Sequence, residues 1–351
     1  MISQTLTYFF GLQERKMPKR KPKTKTVDAE IECIIDERGN ANDQDEKTSS
    51  KRKRRKKDHQ YLCAWTDGED PQWVDAVHLQ GTPALEEWEY AKEEEDEPEM
   101  YDTPEVLKQK CKQLAELIKN AKRPAILLGA GISAPILPTF RGKNGLWTKD
   151  AHKNEKVDTK VSDGLQPTLA HRGLVALERA GHVYWIATQN YDDLSVRSGY
   201  PESKLSELHG NIFTETCDKC NRKYHRDYEV PLDDSQNHET GRNCEDCGGI
   251  LRDSIIHFGE SLPWHDLKMA NAKFMGADLT IAMGSSLKVE PAASLPFKAK
   301  RRNKNRNNIN TCIINLQSSQ YDDEADLVIR GTCDQVINTV CNEILGDSWD
   351  R

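Results

Sequence analysis

The pairs Cys217-x-x-Cys220 and Cys244-x-x-Cys247 constrain this chain more than any other feature of it. Each pair brings two thiolates within reach of one tetrahedral ion, and a polar segment separates the pairs at ribbon-like spacing. With all four corners filled by sulfur, no position stays open for a substrate, so the pattern implies a structural zinc rather than a catalytic one. A redox-active CxxC is the competing explanation, and the presence of two pairs weighs against it. Ten cysteines could also signal disulfides, but a chain of 351 residues can build a core without them. That points to a reducing compartment.

The length favours two domains plus unpacked stretches. The formal charge of -7 conceals uneven blocks, because the basic runs Lys19–Lys25 and Lys51–Lys57 are offset by the acidic run Glu93–Glu97. Residues 1–27 and 40–58 carry few large apolar groups and are expected to stay disordered. Their positive clusters suit an importin-type receptor, a nucleic-acid backbone or simply solvent. No apolar stretch approaches the roughly 18 residues that a bilayer span needs, and the start lacks a signal-peptide pattern, so the chain reads as soluble, not secreted and not membrane-bound.

Glu30–Arg38, Tyr61–Trp65 and Gln72–Val77 are short strand-like pieces, with a turn signal at Asp67–Pro71, and Pro83–Ala91 reads as a closing helix. Together they predict a small antiparallel sheet. Residues 28–91, with the basic insert near 40–58, resemble a chromo-like domain, and YLCAWTDGEDPQWV is similar to the divergent form in the chloroplast signal-recognition particle. Members that read methyl-lysine use an aromatic cage. Here Trp65 matches one cage position, while Ala29 and Gly68 stand at the other two, which favours core packing for Trp65 and Trp73.

After an acidic linker over 92–105, Pro104–Asn120 shows helical periodicity through Leu107, Leu114 and Leu117. The buried-strand run Pro124–Gly129 leads into Gly129-Ala130-Gly131-Ile132-Ser133, small residues that would let backbone amides approach phosphates. The full GxGxxG spacing is absent, and a glycine loop without a cofactor explains the segment equally well. Strand-like runs His182–Thr188, Asp278–Met283 and Thr311–Leu316 alternate with helices, which predicts an α/β fold with a parallel sheet covered on both faces. Three of them end in Gln189-Asn190, Gly284-Ser285-Ser286 and Asn315, at the sheet edge where such folds bind ligands. His209, in the turn Leu208–Asn211, suits acid–base work, although a lone histidine there is more often structural.

Taken together, GAGIS (129–133), FRGKNGLWT (140–148), TQNYDDL (188–194), ELHGN (207–211), the two CxxC pairs, LRDSIIHFGESLP (251–263) and GSSLKVEP (284–291) strongly resemble a sirtuin over residues 106–345. The wording of NGLWT, LRDSIIHFGE and NLQ (315–317) is most similar to the nuclear sirtuin six and seven branch. The resemblance implies a Rossmann-like domain and a smaller helical and zinc-ribbon domain, with the zinc module at about 212–250 and a short tail at 346–351. It also implies NAD-dependent removal of acyl groups from protein lysine, with nicotinamide and O-acyl-ADP-ribose as products. By the same resemblance His209 is the general base, Asn190 orients the ribose and a water, and Asp192 holds the nicotinamide carboxamide. The dinucleotide would lie on Gly129, Ala130 and Gly131, with Phe140, Arg141, Gln189, Gly284, Ser285, Ser286, Asn315, Leu316 and Cys333 around it. Phe140, Ile256 and Phe258 would line the acyl-lysine channel, with ordinary core packing as the alternative for each.

Two departures stand out. Ala134–Thr139 is one residue shorter than the family pattern, with Thr139 in place of an Asp, and Asp193 replaces a Gly, which predicts strain if its φ is positive. Both lower the expected turnover. The implied partner is an acylated protein lysine, a histone by the branch resemblance, and the basic loop Lys298–Arg306 adds a candidate nucleic-acid contact. The expected location is the nucleus, with the plastid as the alternative. A catalytically weak chromatin-binding module and an ADP-ribosyltransferase are the competing functions.

Overall fold

The computed structural model describes residues 31–38, 60–65, 72–79, 98–137, 164–231, 237–257, 260–302 and 309–350. These residues fall into two compact units, one within residues 3–95 and one from 96 onward. Thr139, Phe140, Arg141, Phe258, the expected helix Pro83–Ala91 and both N-terminal basic clusters lie outside the described residues.

In the first unit, β1 (Ile31–Arg38), β2 (Gln60–Trp65) and β3 (Gln72–Asp75) form the expected antiparallel sheet in the order β1-β2-β3. The third strand ends two residues earlier than its sequence suggested, because Ala76 and Val77 enter a short helix, α1 (Ala76–Leu79). Cys63 and Leu79 are buried, and Gln60 donates to the Asp75 carboxylate at 2.6 Å, tying β2 to β3.

The second unit opens with α2, which spans Pro104–Asn120 as its periodicity requires. Thr103 caps it by accepting from Val106 N, Pro104 takes the first turn where no N–H is needed, and Cys111, Leu114, Ala115 and Ile118 form the buried stripe. The chain then alternates between strands and helices. Strands β4 (Pro124–Leu128), β5 (Trp185–Thr188), β6 (Leu205–Glu207), β11 (Leu279–Met283), β12 (Asn310–Ile314) and β13 (Leu327–Ile329) build one sheet in the order β13-β12-β11-β4-β5-β6. Every pairing is parallel. Helices α2, α3 (Leu169–Arg179) and α7 (Cys333–Leu345) pack on one face. On the other face lie α5 (Trp264–Met275) and α6 (Leu295–Arg302). The strand order reverses direction between β4 and β11, which is the switch point where open α/β sheets place their ligands.

Two strands are shorter than their apolar runs. His182 N is used to close α3 by donating to Leu177 O, so β5 begins only at Trp185. Asn315 and Leu316 lie beyond the end of β12, where Asn315 N turns to Ile329 O. The basic residues Lys298–Arg302, expected in a loop, belong to α6 instead, because Leu295, Phe297 and Ala299 supply a buried side. Lys300 pairs with Asp326 at 2.7 Å and Arg301 with Glu324 at 2.5 Å, so part of that charge is already neutralised.

A separate antiparallel sheet runs in the order β8 (Lys223–His225), β7 (Thr214–Cys217), β10 (Ile250–Asp253), β9 (Glu239–Asn243), with Cys217 at the end of β7, Cys220 between β7 and β8, and Cys244 and Cys247 between β9 and β10.

Candidate functional site

The strands nearest the switch point end level with one another, Leu128 opposite Met283 and Thr188, and Met283 opposite Ile314. The residues just beyond them therefore gather at one edge. Gly131 N donates to Gly284 O at 2.8 Å, and a Cβ on Gly131 would stand 2.6 Å from Gly284 Cα. Gly284 has φ +63, and its own Cβ would meet Ile132 N at 2.6 Å. The two loops touch backbone to backbone, so neither position has room for a side chain. The result is a cradle of bare backbone at Gly129, Gly131 and Gly284, which leaves room for the close approach of a phosphate-bearing cofactor.

Around it the polar side chains form a connected set. Asn190 Nδ2 donates to Gly129 O at 3.2 Å and lies 3.3 Å from Ser133 Oγ, which in turn donates to Asp192 Oδ2 at 2.6 Å. The other Asp192 oxygen accepts from Leu194 N at 3.0 Å. Burial pushes the Asp192 carboxyl above its ordinary range, and the bonds from Ser133 and Leu194 oppose that rise. Ser285 Oγ donates to Gln189 Oε1 at 2.7 Å, linking the loop after β11 to the loop after β5.

His209 Nδ1 lies 2.9 Å from Gln189 O. A carbonyl oxygen only accepts, so Nδ1 carries the proton and Nε2 is left as the acceptor nitrogen of a neutral ring. Burial holds the imidazole below its ordinary value of 6.5, against the opposing pull of the Gln189 carbonyl. The next residue, Gly210, has φ +82, and a Cβ there would fall 1.8 Å from Ser254 O. That close approach brings the histidine turn against the loop after β10, where Ile256 N donates to His209 O at 3.2 Å.

Asp193 adopts φ 65 and ψ -1, the strained left-handed conformation anticipated for it, at the start of α4 (Leu194–Arg197). Its carboxylate is nonetheless well used. It accepts from Asn211 Nδ2 at 2.7 Å and Arg197 Nε at 3.1 Å, and lies 3.4 Å from His225 Nε2. Asn211 Nδ2 also donates to Glu207 at 2.7 Å. Burial pushes Glu207 up to about 7.

The four cysteine sulfurs lie within 4.8 Å of one another, with Cys217 and Cys247 at 3.4 Å and Cys220 and Cys244 at 3.6 Å. Sulfurs on a tetrahedral zinc at ~2.3 Å sit about 3.8 Å apart, so the donor set fits that ion. No disulfide joins any two of Cys111, Cys217, Cys220, Cys244, Cys247, Cys312, Cys333 and Cys341.

A family model described as the Sir2 family matches residues 154–291. The NAD-dependent protein deacetylase Sirt6 of Drosophila melanogaster is 37% identical over 260 residues, covering 71% of this chain and 79% of the fly protein. This chain belongs to the Sir2 family. The NAD-dependent protein deacetylase SRT1 of Oryza sativa subsp. indica is 36% identical over 244 residues, covering 68% of this chain and 49% of its own length. Sirtuin-7 of Bos taurus is 38% identical over 256 residues, covering 70% and 62%. The chain thus spans about half of the rice relative and less than two thirds of the bovine one. Among solved structures, a mutant Sir2 homologue in complex with ADP-ribose has a TM-score of 0.53 at 29% identity, covering 66% of this chain and 96% of that one. A Sir2 with p53 peptide and NAD+ has a TM-score of 0.50 at 31% identity, covering 66% and 97%.

Within this Sir2 fold, Gly129, Gly131, Gln189, Asn190, Asp192, His209, Gly284 and Ser285 meet at one edge through the bonds described above, and Ala130, between the two glycines, accepts from Ser133 N at 3.0 Å. Asn315 and Leu316 follow β12 at the same edge, and Cys333 is the buried first residue of α7. Ser133, which joins Asn190 to Asp192, was not singled out from sequence, although it closes the GAGIS segment. Thr168 was missed as well: it caps α3 and also donates to Ile132 O at 3.1 Å, bracing the glycine loop from below. Among the described residues no helix is long and apolar enough to cross a membrane.

Proposed function

We propose that this chain is an NAD-dependent protein-lysine deacylase. The observation that carries the reading is His209, a neutral ring whose Nδ1 is committed to Gln189 O and whose Nε2 is left as a base at the ligand edge of a Sir2 fold. The glycine cradle of Gly129, Ala130 and Gly131 against Gly284 would take the pyrophosphate, with Arg141 and Phe140 nearby. Gln189, Ser285, Ser286, Asn315, Leu316 and Cys333 would surround the remainder of the dinucleotide. When bound, NAD supplies the ribose that gives up nicotinamide and accepts the acyl group. His209 Nε2 would take a proton from a ribose hydroxyl, a task suited to a base that stays neutral through physiological pH. Asn190, fixed by Gly129 O and Ser133, would orient the ribose and a water, and Asp192 would hold the carboxamide. Phe140, Ile256 and Phe258 would bury the lysine methylenes.

The four cysteines would hold zinc with no chemical role, bracing the module that forms one wall of the cleft. The substrate would be an acylated lysine of a histone or another nuclear protein, and the basic clusters support a nuclear location and a salt-dependent nucleic-acid contact. The sheet of β1, β2 and β3 supports a chromo-like domain over 28–91. A weakly catalytic chromatin-binding module is the second reading, favoured by the left-handed backbone of Asp193 beside Asp192. Incubating the full chain with an acylated histone peptide and NAD separates the two. Nicotinamide and deacylated peptide released in equal amounts support the enzyme, whereas release no greater than that of a His209→Ala control refutes it. ADP-ribosyl transfer would instead give nicotinamide with labelled protein and intact acyl peptide.

A further inference from the structure

His238 immediately precedes β9, the strand paired with β10, and so stands beside the loop that follows β10. Its carbonyl accepts from Asp253 N at 2.8 Å, which seats its ring beside that loop. Nδ1 lies 3.1 Å from Asp253 Oδ1, and Nε2 lies 2.8 Å from Glu260 Oε1. Each carboxylate in turn holds backbone: Asp253 Oδ1 accepts from Ile255 N at 3.0 Å and Glu260 Oε2 accepts from His257 N at 2.8 Å. The His257 ring stacks on the His238 ring, centroids 4.9 Å apart. Between these two anchors sits Ile256, whose N–H is bonded to His209 O at 3.2 Å.

Both ring nitrogens of His238 therefore face acceptors. A neutral imidazole has one N–H and can satisfy only one of them, whereas the imidazolium satisfies both. We propose that His238 is a positioning residue for the acyl-lysine loop: as an imidazolium it clasps Asp253 and Glu260 and so holds Ile256 against the His209 turn. The clasp rests on the deacylase reading for its role in substrate binding, but not for its existence.

The surroundings support the charged form. Burial opposes it, but the bonds to Glu260 and Asp253 outweigh burial and hold the imidazole above its ordinary 6.5. The charged and titratable groups facing this clasp among the described residues are Asp253, Glu260 and His257. Arg252, next along β10, is engaged with Asn237 O, Glu239 and Asp218. A raised value means the clasp is complete below 6.5 and opens as pH rises through the folded-state value. His209, held below 6.5, has the opposite requirement, since it must be neutral to act as a base. The two histidines would thus bound a window in which the base is free and the substrate loop is still fastened.

The test measures KM for an acylated peptide at saturating NAD across a pH series, with the zinc-loaded full chain and its His238→Gln and His238→Arg variants. The wild-type KM should rise about five- to tenfold as the clasp opens, with kcat little changed, as expected for losing one charge-assisted hydrogen bond. His238→Gln should show the high KM at every pH, and His238→Arg, permanently charged with two donor arms, a low KM that does not vary. Amide exchange at residues 254–257 over the same pH range reads the clasp without any turnover. Protection should fall with pH in the wild type and stay constant in His238→Arg. A wild-type KM and exchange profile that are both flat would overturn the proposal, as would a His238→Arg profile that follows the wild type. If no nicotinamide is released at any pH, the deacylase reading fails, and the exchange profile still decides the clasp.

Discussion

The two halves of the larger unit stand up by different means. In the parallel sheet every residue of β4, β5 and β11 is buried, and apolar clusters line both faces. The cysteine module has no comparable interior: its cluster is Cys217, Cys244 and Leu251, with Tyr224 and Cys247 at the fringe. Strand β8 has no buried residue and β9 none either. A sheet this thin does not bury enough apolar surface to offset the entropy of ordering it, so the metal has to substitute for the core. The turn that carries the proposed base depends on both, because His209 is tied to Gln189 on the sheet side and to Ile256 on the module side.

The contrast is broken most severely by removing the metal. Chelation under reducing conditions, or Cys220→Ser, should abolish deacylation and release the module to rapid amide exchange, while β4 and β11 keep their protection. Simultaneous loss of protection in both halves would show that they are not separately supported. Purified protein should carry close to one zinc per chain by metal analysis.

The cleft half is attacked at Gly284. Gly284→Ala drives a Cβ into the Ile132 amide at a residue with φ +63, and should cost about 2–4 kcal/mol in denaturant unfolding and weaken NAD binding at least tenfold. Zinc content should not change. The pH dependence comes next. Because His209 is held below 6.5, its base form survives acidification, so kcat at saturating peptide and NAD should stay level as pH falls through 6.5 and drop about tenfold per unit only at lower pH. A drop in kcat on acidification that is already centred above 6.5 would assign the proton transfer to another group.

The smallest expected effect is at Asp193. Asp193→Gly removes left-handed strain of about 1–2 kcal/mol and also the bonds to Arg197 and Asn211, so its change in stability should stay within about 2 kcal/mol of zero. Thermal unfolding gives the sign, and a faster variant would identify Asp193 as a brake on turnover.

What could be foreseen from sequence follows the same division. Helix α2 was legible over Pro104–Asn120 because the helical spacing of Leu107, Leu114 and Leu117 is a local signal. The cysteine ligands were legible because metal spacing is local. Asp193 could be flagged because it stands where the sirtuin pattern has a Gly, a substitution that strains the backbone wherever φ is positive. The shortened start of β5 could not be, since it depends on His182 closing a helix. Nor could the meeting of Gly131 with Gly284, the bond from Ser133 to Asp192, or the clasp of His238 on Asp253 and Glu260. Each joins segments far apart in the chain, and no local propensity marks the partner.

The most direct test of the account compares wild type with His209→Ala in one assay that follows nicotinamide and deacylated histone peptide together, with thermal unfolding and zinc content measured on the same samples. Equal release of both products is expected from the wild type, and at least a 100-fold drop from His209→Ala with its unfolding and zinc unchanged. Equal activity in the two proteins would contradict the account.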